Sequence, residues 1–191
     1  MSQWLDEAKA IDSAIYAAIA AGDNPSLDSA MRRLSRAADH GKLWFAIAAA
    51  LALLGGRGGR LAARRGIVSL GLASAFANLL AKPLSTRRRP ARQEAEELAR
   101  RHVQMPRSSS FPSGHSASAF AFATGASAAQ PMLSAPLRIL AMLVGYSRVH
   151  TGVHYPADVL AGAFIGVSAA EVAAWAAERA GFAALPVRAE P

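Results

Sequence analysis

Cysteine is absent from the 191-residue chain, and this excludes three classes of site at once. No disulfide framework, thiolate nucleophile or cysteine-ligated metal centre can form. Aromatic residues are also scarce, at 7% of the chain, and the basic cluster between Lys82 and Arg107 has none interleaved with its arginines. The sequence therefore argues against nucleic acid as a partner, although the net charge is +8.

Acidic residues are outnumbered, with 13 Asp and Glu against 21 Lys and Arg. This excess of positive charge favours partners that carry phosphate, such as lipid headgroups or a phosphorylated substrate. A basic start followed by an apolar core is missing as well, because acidic residues are spread over the first forty positions. We therefore expect no cleavable signal peptide, and internal segments must carry any membrane insertion.

Apolar residues, in contrast, make up 52% of the chain. Several of the apolar segments are shorter than the about 20 residues of a membrane-spanning helix, so a soluble bundle of buried helices stays open as an alternative. Gly162 and Gly166 form a G-x-x-x-G pattern in the last segment, which suits close helix packing in lipid. We predict an all-α integral membrane bundle with about five transmembrane helices. The apolar segments cover roughly 43–56, 66–81, 116–135, 137–149 and 158–177.

Short amphipathic helices are predicted ahead of these segments. Ile11, Ile15 and Ile19 recur every four residues with acidic residues on another face, and Arg32 and Arg36 lie on a second short helix. These helices could lie on an anionic lipid surface or form a small solvated cap, and both interpretations stay open. The chain then divides into amphipathic N-terminal helices at 1–40, a membrane domain at 41–180 and a tail at 181–191.

The polar connectors sort onto two sides if each apolar segment crosses the membrane. The connectors 56–66 and 130–138 lie on one side. The N-terminal helices and the connectors 82–115 and 147–158 lie on the other, which brings every conspicuous polar motif to one face. The four arginines of 56–66 suit the cytoplasmic side. The motif side carries more Lys and Arg in total, so the charge distribution alone gives conflicting signals about the orientation.

A fixed group of cations follows the second apolar segment. Lys82 stands at its end, Pro83 disfavours continuation of the helix, and Arg87, Arg88 and Arg89 come next. The transition state of phosphoryl transfer spreads negative charge over its oxygens, which Lys and Arg can stabilise without a metal. Taken alone, however, such a run is more commonly a juxtamembrane stretch that binds anionic lipid.

The stretch FPSGHSASAF places a histidine at a predicted helix start. Pro112 suits the first turn, and Gly114 permits close backbone approach. The free N–H groups of that turn can hold an anion at the positive end of the helix dipole. His115 would then be aimed at the anion; the alternative is an ordinary histidine at a helix end.

A second histidine motif lies in YSRVHTGVHYPADVL. Asp158 is four residues after His154, so its carboxylate can accept the Nδ1–H and leave Nε2 as a nucleophile. His150 and His154 could instead bind a metal as an i, i+4 pair. Gly152 and Pro156 make one continuous helix through both histidines unfavourable, which weakens the metal alternative.

Together these residues resemble the type 2 phosphatidic acid phosphatase superfamily. Its pattern has three blocks, and the chain agrees with it at all eleven fixed positions between residues 82 and 158. Agreement in residue type, order and spacing is far more specific than any single short motif. The matching residues are Lys82, Arg89, Pro90, Pro112, Ser113, Gly114, His115, Ser147, Arg148, His154 and Asp158.

The resemblance implies a phosphatase with a helical core shared with haloperoxidases and with no metal or other cofactor. It implies that His154 attacks phosphorus to give a phosphohistidine and that Asp158 orients it. His115 would protonate the leaving oxygen and later help to activate water. The implied ligands of the phosphoryl oxygens are Lys82, Arg89, Ser113, the N–H of Gly114, and Arg148.

The active site of the superfamily usually faces away from the cytoplasm, which would put the arginines of 56–66 inside, and we assign many cations of the motif side to chemistry. The resemblance therefore implies an extracytoplasmic site. Membrane members of the superfamily act on phosphatidic acid, phosphatidylglycerophosphate, or polyprenyl phosphates and diphosphates, and the fixed motifs do not separate these substrates. The stretches LSRAADHGKLW and SRVHTGVHYPADV are further similar to small actinobacterial membrane phosphatases. Two other functions stay open. The same site becomes a haloperoxidase when vanadate occupies the phosphate position, and a catalytically idle module could simply bind anionic lipid.

Overall fold

The computed structural model describes residues 3–91 and 101–180, so the predicted tail 181–191 lies outside the described residues. Helices are the regular secondary structure of the described part, as predicted. A 3-10 turn, Asp39–Gly41, joins α2 to α3, and a π-helical turn, Phe76–Ala81, continues α4. The seven α-helices are α1 (Gln3–Ala20), α2 (Pro25–Ala37), α3 (Lys42–Leu54), α4 (Gly56–Ala75), α5 (Gly114–Ala129), α6 (Ser134–His150) and α7 (Pro156–Arg179).

The central helix of the bundle is α5, which packs against α4, α6 and α7. Small residues allow these helices to approach closely. A Cβ atom on Gly162 would lie 2.4 Å from the carbonyl oxygen of Ser113, and one on Gly166 would lie 2.4 Å from that of Ala117. The G-x-x-x-G pattern of α7 therefore packs directly on α5, which confirms the predicted close helix contact.

Aromatic packing joins α3 to the same core. Trp44 is fully buried, and its ring centroid lies 5.3 Å from that of Phe122 on α5. Gly66 of α4 leaves room for the Phe122 ring, because a Cβ atom there would lie 2.8 Å from Cε2. The core is thus built from two large rings among small side chains.

The outer faces of the bundle are apolar. Ile139 and Met142 on α6 and Leu160, Phe164 and Trp175 on α7 are all more than half exposed. So many exposed large apolar side chains on two helices are unusual for a soluble monomer but are expected against lipid. The arrangement favours the membrane bundle over the soluble bundle of buried helices.

Helices α3 to α7 correspond to the five predicted apolar segments, yet they differ in their capacity to span a bilayer. Among the described residues, Pro131–His150 and Pro156–Arg179 are long and apolar enough to cross a membrane. Pro25–Ala37 and Asp39–Leu54 would add a third span if this pair, bent by 60°, counted as one. Helix α4 carries too many arginines to count as a span by itself, and α5, with 16 residues, is too short.

The N-terminal helices form a cap over one end of the bundle. Helix α1 contacts α6 and α7, and α2 contacts α6. Asp12 of α1 is buried, whereas Trp4, Ile11 and Ile15 form an exposed apolar stripe on the same helix. Both N-terminal helices therefore pack on the bundle, and the outward apolar stripe of α1 suits a lipid interface.

Candidate active site

The three sequence blocks converge at the end of the bundle beneath the cap. The Arg89 guanidinium lies 3.4 Å from Nε2 of His154, measured from Nη1. Lys82 lies over Gly114, since a Cβ atom on that glycine would be 3.3 Å from the lysine Nζ. His115 follows in the first turn of α5. The fold thus brings the predicted catalytic and phosphate-binding residues to one place.

Lys82 follows the π-helical turn that continues α4. Its Nζ donates to Oδ1 of Asn78 at 2.8 Å, and the Asn78 amide donates in turn to the Ser74 carbonyl oxygen at 2.9 Å. Burial lowers the pKa of Lys82, and the charges of Arg89 and Arg148 act in the same direction. Sequence reasoning missed Asn78, although its position one turn before a motif lysine was a usable signal.

Backbone carbonyl groups hold Arg89 in place. Its Nη1 donates to Val153 at 2.7 Å, its Nε to Ser108 at 2.9 Å and its Nη2 to Ser109 at 3.0 Å. Because Val153 precedes His154, the same guanidinium fixes the loop that carries the proposed nucleophile. These contacts fix the guanidinium beside Nε2 of His154, where its positive charge can stabilise a phosphoryl group.

The Pro-Ser-Gly-His block begins α5 as predicted. Ser113 is the N-cap residue, and its Oγ accepts from the backbone N–H of Ser116 at 3.3 Å. The Ser113 N–H donates to the carbonyl oxygen of Asp158 at 2.9 Å, which joins the starts of α5 and α7. Helix N-termini of this kind attract anions.

His154 is buried in the loop between α6 and α7. Burial lowers its pKa from 6.5 to about 4, with Arg148 and Arg89 acting in the same direction against Asp158. Its Nδ1 lies 3.5 Å from Oδ2 of Asp158, at the outer limit for a hydrogen bond. The imidazole is therefore kept neutral, with Nε2 facing the cations and Nδ1 facing the carboxylate.

Asp158 lies in the first turn of α7 and is fully buried. Its Oδ2 accepts from the Tyr155 N–H at 2.9 Å and from the Ser110 hydroxyl, and its Oδ1 accepts from Arg87 Nη1 at 2.8 Å. These donors fix the carboxylate beside His154. Arg87 lies outside the fixed positions of the family pattern, and the sequence distinguished it from Arg88 by no local signal.

Arg148 is buried near the end of α6. Its Nη1 donates to Oγ of Ser35 on α2 and lies 3.8 Å from Oδ1 of Asp39. The carbonyl oxygen of Arg148 accepts from the N–H of His154 at 3.2 Å. Arg148 therefore links the loop that carries His154 to the cap.

The cap supplies three carboxylates that sequence reasoning missed. Asp12 accepts from Arg87 Nη2, and its second oxygen accepts from the Ala157 N–H at 2.8 Å. Asp39 Oδ1 lies 2.9 Å from Nε2 of His115. The third carboxylate, Asp28, pairs with His150. Each of these three acids thus meets a different basic group around the site.

His150, half of the alternative metal pair, has its own acidic partner. Its Nε2 lies 2.7 Å from Oδ1 of Asp28 on α2. Helix α6 ends at His150, and Gly152 adopts a positive φ of 71° before the chain reaches His154. The predicted break between the two histidines is confirmed, and within the described residues no group of three or more potential metal ligands is present.

Comparisons with solved structures support the helical fold. The match to the crystal structure of Aquifex aeolicus LpxE covers 83% of this chain and 92% of that chain, with 27% sequence identity and a TM-score of 0.66. The match to the crystal structure of a transmembrane PAP2 type phosphatidylglycerolphosphate phosphatase from Bacillus subtilis covers 91% of this chain and 87% of that chain. The sequence identity is 25% and the TM-score is 0.67.

A shorter match joins the chain to a curated relative. The bacitracin transport permease protein BcrC of Bacillus licheniformis is 50% identical over 44 residues, which cover 23% of this chain and 22% of that protein. The PAP2 superfamily profile matches residues 62–181, more than half of the chain. On this match, together with the helical fold shared with two solved relatives, the chain belongs to the PAP2 superfamily.

Proposed function

We propose that this protein is a membrane lipid phosphate phosphatase that works through a phosphohistidine on His154. The observation that carries the proposal is the position of the His154 ring, with Nε2 beside Arg89 and Nδ1 beside Asp158. A neutral imidazole between a cation and a carboxylate suits attack on phosphorus. The apolar outer faces of α6 and α7 and the phosphatase among the solved relatives support a lipid substrate.

In the first step, Nε2 of His154 forms a bond to phosphorus while the bond from phosphorus to the lipid oxygen breaks. His115 gives its proton to that leaving oxygen. Lys82, Arg89 and Arg148 would stabilise the charge that develops on the phosphoryl oxygens. The Ser113 hydroxyl and the Gly114 N–H complete this set in our proposal.

In the second step, water attacks the phosphorus atom of the phosphohistidine. His115 accepts the proton of the attacking water, and the nitrogen–phosphorus bond breaks to release phosphate. Asp158 holds the Nδ1 proton throughout and stabilises the positive charge that builds on the ring. Side chains of the protein and the attacking water thus account for every proton that moves in this step. The proposed reaction uses no cofactor.

We further propose phosphatidic acid, phosphatidylglycerophosphate and polyprenyl phosphate or diphosphate as candidate substrates, with the site on the extracytoplasmic side of the plasma membrane. The test is phosphate release from each lipid by detergent-purified wild type and His154→Ala, with EDTA present. We expect release by the wild type alone, inhibition by vanadate, which mimics the five-coordinate phosphoryl state, and a labelled phosphohistidine after an alkaline quench. Equal release by both proteins, or no release from any lipid, would overturn the proposal.

A further inference from the structure

The junction between α2 and α3 places a carboxylate against the proposed general acid. Asp39 Oδ1 lies 2.9 Å from Nε2 of His115, and both side chains are partly buried. The same oxygen lies 3.8 Å from Nη1 of Arg148. Asp39 belongs to the stretch LSRAADHGKLW, to which the proposed reaction gives no role.

The backbone at this junction is shaped to present Asp39. His40 has φ 56° and Gly41 has φ 75°, so two successive residues are left-handed. For a non-glycine residue such as His40 this conformation is uncommon. It accompanies the 60° bend between α2 and the following helix, at which Asp39 meets His115. Strain kept at one position next to a catalytic group is an indication of function.

The charges around His115 show what a carboxylate would do there. Burial lowers the pKa of His115, and the charges of Arg148 and Lys82 act in the same direction, whereas Asp39 acts against all three. A general acid must carry its proton before the leaving oxygen needs it. Among these groups, Asp39 is the one that favours the protonated ring.

We propose that Asp39 is a positioning residue that forms a carboxylate–histidine pair with His115 and keeps it able to protonate the leaving oxygen. The inference rests on the proposed function, because it assigns a partner to the acid of that reaction. Asp39 binds Nε2–H, which leaves Nδ1 as the nitrogen that exchanges a proton with the substrate and later with water. The site would then hold two such pairs, Asp39 with His115 and Asp158 with His154.

Leaving-group dependence separates this role from a structural one. An alkyl phosphate needs a proton on its leaving oxygen, whereas p-nitrophenyl phosphate does not. The experiment compares kcat/KM of wild type and Asp39→Asn on dioctanoyl phosphatidic acid and on p-nitrophenyl phosphate. The value of kcat/KM reports the steps up to and including the first phosphoryl transfer. It is therefore independent of slow hydrolysis of the phosphohistidine. We expect a loss of about 10-fold to 100-fold on the alkyl phosphate and a much smaller loss on the nitrophenyl ester.

The variant should also shift the basic limb of the alkyl-phosphate profile to lower pH, because the imidazolium of His115 loses its stabilising charge. Asp39→Glu keeps a carboxylate and should recover part of the lost rate. His115→Ala should show the same leaving-group pattern as Asp39→Asn. Asp6→Asn, which removes an exposed acid that pairs with Lys9, is the matched control and should leave both substrates unaffected.

Three results would overturn the inference. An equal loss of kcat/KM on both substrates would assign Asp39 a structural role, and rates equal to those of the wild type would show that Asp39 has no role in the reaction. A higher kcat/KM in the variant would show that the Asp39 carboxylate obstructs the phosphate site. If Asp39→Asn does not fold, the same ratio is measured in Asp39→Ser. Failure of the proposed function itself would look different, because the wild type would then release no phosphate from either substrate.

Discussion

Arg87 donates a hydrogen bond from Nη1 to Oδ1 of Asp158 at 2.8 Å, and its Nη2 donates to Asp12 of the cap. The guanidinium carbon also lies 4.6 Å from the ring centroid of Tyr155. Arg87 therefore joins α1, the helix start at Tyr155 and the carboxylate that faces His154. A residue outside the fixed family positions thus supports the proposed catalytic pair.

Arg87→Ala should lower kcat by about 10-fold to 100-fold, because the buried Asp158 loses a charged hydrogen-bond partner worth about 1.5–3 kcal/mol. The neighbouring Arg88 is exposed, so Arg88→Ala is the matched control for the loss of one arginine from the same cluster. Steady-state phosphate release checks both variants. Equal rates in the two variants would contradict a specific role for Arg87.

Asp158→Asn should lower kcat by about 10²-fold to 10⁴-fold while the protein still folds. The amide keeps one oxygen to accept from the Tyr155 N–H, but it no longer selects the tautomer that leaves Nε2 of His154 free. Phosphate release and the detergent melting temperature measure the two effects separately. A variant with near wild-type kcat would show that the carboxylate charge is dispensable.

The stability of the protein should depend on pH through His154. The folded-state pKa of about 4 lies below the ordinary 6.5, so between these values the unfolded chain binds a proton that the folded chain does not. The free energy of unfolding should therefore fall as pH drops from about 6.5 to about 4. Above about pH 6.5 this residue makes no pH-dependent contribution to it. Melting temperatures of wild type and His154→Ala across the window test this, and parallel curves would contradict it.

Activity should persist on the acid side for the same reason. His154 can attack only as a neutral ring, and burial keeps it neutral down to about one pH unit above its lowered pKa. Titration of ¹⁵N-histidine-labelled wild type against His154→Ala identifies the signal and follows its protonation. A signal that titrates near the ordinary value of 6.5 would contradict the lowered pKa.

Gly162→Ala should reduce both stability and activity. Its Cβ would lie 2.4 Å from the Ser113 carbonyl oxygen, so α7 must move away from α5 and carry Asp158 with it. We expect a cost of about 1–3 kcal/mol. Gly71→Ala on α4 is the matched control, because nothing lies within 4 Å of a Cβ atom there. Equal melting temperatures for the two variants would contradict the contact.

The side of the membrane that carries the site can be tested because the chain has no cysteine. Leu84, after the π-helical turn, and Met132, in the connector before α6, are exposed at 87% and 84%. We expect Leu84→Cys to react with an impermeant thiol reagent in intact cells and Met132→Cys to react only after membrane disruption. The reverse pattern would place the site on the cytoplasmic side.

Much of the bundle could be predicted from the sequence because the information is local. The apolar segments matched α3 to α7, and Pro156 and Asp158 lie in the first turn of α7 as expected. Helix α5 begins at Gly114 instead, with Ser113 as its N-cap and Pro112 just before it. Gly162 and Gly166 predicted a close helix contact because four-residue spacing places both on one helix face, and the structure shows that the neighbour is α5. In each case, neighbours along the chain determine the conformation.

The partners of the catalytic groups required the tertiary structure. Asp39 and His115 are 76 residues apart, Asp12 and Arg87 are 75 apart, and Asp28 and His150 are 122 apart. Nothing in the sequence around Asp12 distinguishes it from the exposed Asp6 of the same helix. Only the docking of the cap on the bundle decides which acid is buried.

The sequence by itself determined the helices and the three blocks of the family pattern, from which the proposed chemistry follows. The tertiary structure decided that Arg87 rather than Arg88 supports Asp158, and that Asp39 meets His115. The physical reason is that helix periodicity and capping depend on residues within about one turn. The pairing of buried charges depends instead on which surfaces meet, and no local pattern in the chain encodes that meeting.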